Sequence, residues 1–225
     1  FLLYFDCFVC VKFYYTGLFD IFAGIGGFRS GLEKAGGFEC VGYCEIDRYA
    51  KKAYETMYDT EGEVYYDDAR KINPNELPDF DLICGGFPCQ SFSIAGKRGG
   101  FDDARGTLFF EIARIAAVKK PKYLLLENVP GLLSHDSGRT FATILGSLDE
   151  LGYDVAWQVL NSANFRVAQS RKRVFIIGFL REKCAGKVLS FTEENPIKVH
   201  PNIIYSTFCG SRMFLFSVSP LSRNL

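Results

Sequence analysis

The chain has 225 residues with 26 basic and 26 acidic side chains, so its formal net charge is zero. At 48% hydrophobic and 23% charged residues it has the composition of a globular domain, which excludes disordered, collagen-like and low-complexity classes. Its apolar stretches fall far short of the ~20 residues a membrane span needs, and a neutral chain attracts nucleic acid only through local patches.

The first residues, Phe1-Leu2-Leu3-Tyr4-Phe5, carry no basic region and no small-residue cleavage site, so no secretory signal is read there. A start at Phe rather than Met reads as a trimmed piece. Eight cysteines, at positions 7, 10, 40, 44, 84, 89, 184 and 209, are too sparse for a disulfide scaffold and point to a reduced, cytoplasmic setting.

An apolar run over 15–22 leads into Gly24, Gly26 and Gly27. A helix is expected over 28–35, stopped by Gly36-Gly37. A second apolar run over 39–44 is followed by Glu45 and a helix over 48–57. Strands are expected over 79–84 and 122–126, with an amphipathic helix over 107–118 between them. A helix over 139–151 and strands over 155–160 and 173–179 complete the pattern. Strands alternating with helices of this length imply βαβ units and an α/β, mostly parallel sheet. Beyond Leu180 the periodicity fades, and 181–225 is left unassigned.

Three places along this pattern carry chemistry. The first is the turn Phe22-Ala23-Gly24-Ile25-Gly26-Gly27. Glycines let a ligand approach the backbone, and Glu45, at the end of the next strand, can accept two hydrogen bonds from a ribose diol. Arg29 breaks the dinucleotide spacing G-x-G-x-x-G, which favours an adenosine ligand without a pyrophosphate. The plainer alternative is a tight turn beside an exposed acid.

The second is Cys84-Gly85-Gly86-Phe87-Pro88-Cys89-Gln90-Ser91. A strand ends in two glycines and Pro88 presents Cys89 at the carboxyl edge of the sheet, where open α/β folds bind ligands. A thiolate there is a candidate nucleophile; the plain alternative is a buried, inert cysteine. The third is Glu127-Asn128-Val129 at the end of another buried strand. A half-desolvated carboxyl in the same crevice has a raised pKa and can protonate a ring nitrogen. Arg171 and Arg173, on one face of the strand-like stretch that leads into the last strand, suit carbonyl or phosphate oxygens. Cys7, Cys10, Cys40 and Cys44 could also supply four sulfurs to zinc, although Cys40 and Cys44 are expected on one strand face and buried; no metal site is assigned.

These residues, in this order, resemble the C5-cytosine DNA methyltransferase family. The resemblance covers roughly positions 18 to 180. It rests on five collinear motifs: the 22–27 glycine turn, Gly86-Phe-Pro-Cys-Gln-Ser-Phe-Ser93, Arg105-Gly-Thr-Leu-Phe-Phe110, Glu127-Asn-Val129 and Gln169-x-Arg-x-Arg173. It implies a Rossmann-like methyltransferase sheet with helices on both faces and the cofactor S-adenosylmethionine. By resemblance, Phe22 packs on the adenine and Gly24, Gly26 and Gly27 lie beneath the methionine portion. Glu45 holds the ribose, Asp68 the adenine amino group, and Pro88 and Leu108 line the pocket. Cys89 is the nucleophile toward cytosine C6, Glu127 serves N3, and Arg171 and Arg173 serve O2. Gln90, Ser91, Asn128 and Gln169 are substrate-binding positions. The partner is double-stranded DNA with the base flipped out.

The expected division is an atypical N-terminal extension over 1–16, a catalytic domain over 17–180 and an irregular tail over 181–225. The family's target-recognition region and its returning Gly-Asn-Ser-type loop are not found after Leu180. Target recognition is therefore expected from a missing C-terminal part or a second chain, and cofactor affinity is expected to be weakened. The rival readings are an inactive cofactor-binding remnant and a tRNA cytosine-5 methyltransferase.

Overall fold

A computed structural model describes residues 16–88, 108–165 and 167–184, and the backbone of 205–209 and 212–216. The sequence folds into one sheet with strands β1 (Thr16–Ile21), β2 (Phe38–Cys44), β3 (Val64–Tyr66), β4 (Leu82–Gly86), β5 (Tyr123–Asn128), β6 (Tyr153–Asn161), β7 (Lys172–Leu180), β8 (Tyr205–Cys209) and β9 (Arg212–Phe216). Their spatial order is β3-β2-β1-β4-β5-β7-β6-β8-β9. The pairs from β3 to β5 are all parallel, whereas β7 is antiparallel to both β5 and β6. Strand β7 thus starts where β4 and β5 end, a reversal that matters for the site.

Among the described residues four α-helices cover the sheet: α1 (Gly27–Ala35), α2 (Arg48–Met57), α3 (Leu108–Lys119) and α4 (Arg139–Glu150). Helix α1 stops at Gly36, whose φ of 84° only glycine adopts cheaply and whose N–H bonds the carbonyls of Leu32 and Glu33. Helix α2 starts at Asp47, whose carboxylate accepts from the backbone of Tyr49 and Ala50. Helices α3 and α4 bury Phe109, Ile112, Ile115, Ile144 and Leu148 on the sheet face that carries Phe19, Ile83 and Leu126. On the other face Leu32 of α1 packs with Leu18, Leu82 and Leu125. Alternate residues along β4 and β5 feed opposite cores, as the period of two requires, and helices lie on both faces as expected. Among the described residues no helix is long and apolar enough to cross a membrane.

The expected strands and helices are present, with ends displaced by a few residues. Strand β3 adds to the expected pattern; with only three residues, flanked by acids and glycine, it leaves no periodic signal in the sequence. The β8–β9 pair lies in the unassigned tail, and β8 joins the sheet edge beside β6. One expectation is corrected. Cys40 and Cys44 do not share a face: the β1/β2 register slips between Leu18 and Phe19, and this bulge sends Cys40 to the Leu18 side and Cys44 to the Phe19 side. Burial pushes both thiols up to about 12. Among the described residues no three His, Cys, Asp or Glu side chains are grouped to hold a metal; Cys7 and Cys10 lie outside them.

Candidate active site

The parallel strands place the residues singled out along one edge of the sheet. Phe22 and the glycine turn follow β1, Glu45 follows β2, Asp68 follows β3, Pro88 follows β4, and Glu127 and Asn128 end β5. Because β7 runs the other way, Arg173 near its start arrives at the same edge.

Gly86 and Glu127 are direct register partners across β4 and β5. A Cβ on Gly86 would lie 2.8 Å from Glu127 Oε2, so only glycine leaves that carboxylate its place. Arg173 Nε stands 2.6 Å from Glu127 Oε1, with side-chain exposures of 18% and 23%. Burial raises the Glu127 pKa, against the lowering pull of the Arg173 and Arg171 guanidinium groups. This is a carboxyl poised to exchange a proton, held by a cation that can turn to another oxygen.

Asn128, buried at the end of β5, donates its side-chain amide to the Phe87 carbonyl at 2.9 Å and accepts from the Val129 N–H at 2.8 Å. It fixes the backbone immediately before Pro88, which is exposed. Cys89, Gln90 and Ser91 lie outside the described residues.

The arginine segment is pinned by two residues that the motifs did not flag. Asn161 Oδ1 and Ser162 Oγ each accept from the Arg171 N–H at 3.0 Å. The Ser162 hydroxyl also donates to the Gln169 carbonyl. Gln169 and Arg171 are exposed. An Asn-Ser pair at the end of an apolar strand is the only trace these residues leave in the sequence.

On the cofactor side, Glu45 Oε2 accepts from the Gly24 N–H and Oε1 from the Asp47 N–H, both at 2.7 Å. Each oxygen keeps a lone pair for a ligand hydroxyl. Gly24 and Gly26 have φ of 56° and 85°, and Phe22, a bulky residue, is held at φ 56°. At a non-glycine residue such as Phe22 this backbone costs on the order of 1–3 kcal/mol, and such strain collects at functional turns. A Cβ on Gly24 or Gly27 would meet nothing within 4 Å, so the turn has an open strip of backbone above it. An adenosine ligand with a ribose diol fits this cradle. Asp68 caps the turn Ala69–Lys71 through the Arg70 N–H and also engages the Arg70 guanidinium, whose hydrogen bond lowers its pKa. Leu108 is half-buried at the start of α3.

Arg29, which displaces the third glycine of the dinucleotide pattern, is 6% exposed. It forms ion pairs with Glu33 and Glu63 at 2.7 and 2.8 Å and donates to the Asp59 carbonyl at 3.0 Å. Below the turn Asp20 is completely buried, in contact with Cys84 Sγ and the Tyr54 hydroxyl. An acid inside the apolar run Leu18-Phe19-Asp20-Ile21 was the available signal for it.

The sequence pattern of the family described as C-5 cytosine-specific DNA methylase matches residues 17–206. The chain is 46% identical over 166 residues to the type II methyltransferase M.HhaI of Haemophilus parahaemolyticus, covering 73% of this chain and 50% of that protein. It is 51% identical over 162 residues to the type II methyltransferase M.NgoBI of Neisseria gonorrhoeae, covering 71% and 49%. In fold it is similar to a DNMT2 variant of Spodoptera frugiperda, with a TM-score of 0.63 at 20% identity over 80% of this chain and 54% of that one. The chain thus spans about half the length of the curated relatives it matches. A family pattern matched over most of the chain agrees with the five collinear motifs and with the edge of the sheet on which their described members lie, and the chain belongs to the C-5 cytosine-specific DNA methylase family.

Proposed function

We propose that this chain is the catalytic part, over 17–180, of an enzyme that transfers a methyl group from S-adenosylmethionine to C5 of a cytosine flipped out of duplex DNA. The observation that carries the reading is the Glu127–Arg173 pair at 2.6 Å, in register with Gly86, three residues before Cys89.

Cytosine C5 is a weak nucleophile, and the residues at this edge answer that problem. Addition of the Cys89 thiolate to C6 turns C5 into the nucleophilic carbon of an enamine. Glu127, with its burial-raised pKa, gives a hydrogen bond or proton to N3 as negative charge enters the ring. Arg173, assisted by Arg171, transfers its contact from the Glu127 carboxylate to O2 and stabilises the same charge. Gln90, Ser91 and Gln169 bound the base, and Asn128 serves it indirectly by holding the Phe87 carbonyl. Loss of the C5 proton and expulsion of the Cys89 sulfur release the product. Phe22, Gly24, Gly26, Gly27, Glu45, Asp68, Pro88 and Leu108 form the cofactor pocket, where the bound sulfonium supplies the electrophilic methyl group. Target recognition belongs to a C-terminal part of a longer chain or to a second chain.

The test is transfer of labelled methyl from S-adenosylmethionine to duplex DNA, and trapping on DNA that contains 5-fluorocytosine. A denaturant-stable adduct that Cys89→Ser abolishes is expected. Absence of both transfer and adduct would leave the inactive cofactor-binding remnant.

A further inference from the structure

The left-handed Gly26 has a neighbour that neither the motifs nor the family match assigns. The ring of Tyr58, the residue that ends α2, occupies the space beside Gly26, where a Cβ would lie 2.3 Å from its Cε2. Its hydroxyl donates to the Gly26 carbonyl at 2.8 Å. The same carbonyl accepts the first helical hydrogen bond of α1, from the Ser30 N–H at 2.9 Å. Two donors therefore fix the plane of the peptide that joins Gly26 to Gly27.

Tyr58 is itself held. The Arg29 guanidinium lies over its ring at 4.5 Å, and the Tyr54 ring packs against it at 4.8 Å. Arg29 is anchored in turn by Glu33, Glu63 and the Asp59 carbonyl. The result is a rigid brace between the end of α2 and the turn that begins α1.

We propose that Tyr58 is a positioning residue for the cofactor: its hydroxyl locks the Gly26 peptide so that the open backbone over Gly24 and Gly27 is preformed to receive the ligand. The inference rests on the S-adenosylmethionine reading of that turn. Its physical basis is that glycine loses more conformational freedom than any other residue when fixed. A turn that samples other wells binds its ligand less tightly by the fraction of time it is competent. A hydrogen bond's worth of restraint corresponds to about a fivefold change in the ratio of competent to other conformers, which sets the upper limit on the change in affinity.

The experiment titrates S-adenosylhomocysteine into the 225-residue chain by calorimetry, comparing it with Tyr58→Phe, which keeps the ring and removes the hydroxyl. Tyr153→Phe serves as a stability control. Its fully buried hydroxyl donates to the Pro121 carbonyl at 2.8 Å, on a strand outside the glycine turn. Tyr58→Phe should raise the dissociation constant about two- to fivefold, fivefold being the limit, and speed amide exchange over 24–28 in the ligand-free protein. Tyr153→Phe should lower the unfolding midpoint and leave the dissociation constant unchanged. An affinity for Tyr58→Phe within twofold of the unaltered chain overturns the proposal. So does an equal loss in Tyr153→Phe, because affinity would then follow stability alone. If the unaltered chain fails to bind at millimolar ligand, the cofactor reading itself falls, a result distinct from either.

Discussion

The side-chain amide of Asn128 donates to the carbonyl of Phe87 across 2.9 Å, tying the end of β5 to the backbone that leads into Cys89. Replacing Asn128 with Ala leaves that carbonyl without this partner beside a buried void. A loss of about 1–3 kcal/mol in stability is expected. The methyl-transfer rate should fall by at least tenfold, because a nucleophile displaced by ~1 Å loses its alignment. Chemical denaturation and single-turnover rates measure the two effects, and an unchanged rate would separate this amide from the chemistry.

Gly86→Ala tests the carboxylate's placement without a large penalty on folding. The backbone at Gly86 needs no positive φ, and the new methyl would meet the far end of Glu127, which can swing away. The expected outcome is an unfolding midpoint within a few degrees of the unaltered chain, together with a methylation rate reduced by roughly tenfold or more. A variant that fails to fold would show that the strand pair itself cannot accept the methyl.

Glu127 and Arg173 should be separable by pH. Glu127→Gln removes the titrating group, and the rate should drop by about a hundredfold or more. Arg173→Ala removes the larger pull that lowers the Glu127 pKa against its burial, so the carboxyl rises further above its usual range. The alkaline limb of the pH–rate profile should therefore move to higher pH in Arg173→Ala, although the rate is lower. Arg173→Lys, which keeps the charge, should bring the limb back. A limb that stays put in all three variants would assign it to another group.

Asp20 gives the fold its own pH dependence. Burial pushes its carboxyl from 3.8 up to about 8, opposed by hydrogen bonds from Cys84 and Tyr54 and by the charge of Arg29. Between those values the folded protein keeps a proton that the unfolded chain has released. Stability from this group is therefore complete below about pH 4, declines as pH rises and is lost above about 8. The loss is on the order of a few kcal/mol. Asp20→Asn should flatten the dependence and be the more stable protein at pH 8.5, as measured by urea unfolding from pH 5 to 8.5.

Much of this protein can be read without coordinates. Apolar runs such as Leu124-Leu125-Leu126 are buried on both sides, so they announce central strands wherever they pack. Glycines at 24 and 26 announce a turn because their backbone angles are local properties. The motif order then names the family, and the parallel alternation places Phe22, Glu45, Asp68, Pro88 and Glu127 at one edge.

Tertiary structure alone decided the rest, because the forces involved act between residues far apart in the chain. The reversal of β7 brings Arg173 onto Glu127 from 46 positions away. A one-residue bulge divides Cys40 from Cys44, and no periodic pattern reveals such a slip. Arg29, legible only as a missing glycine, becomes the buried cation that joins α1 to Glu63 and stacks on Tyr58. A side chain's type limits what it can do, but its pKa and partners depend on which distant groups share its desolvated space, and only the packed fold brings those groups together.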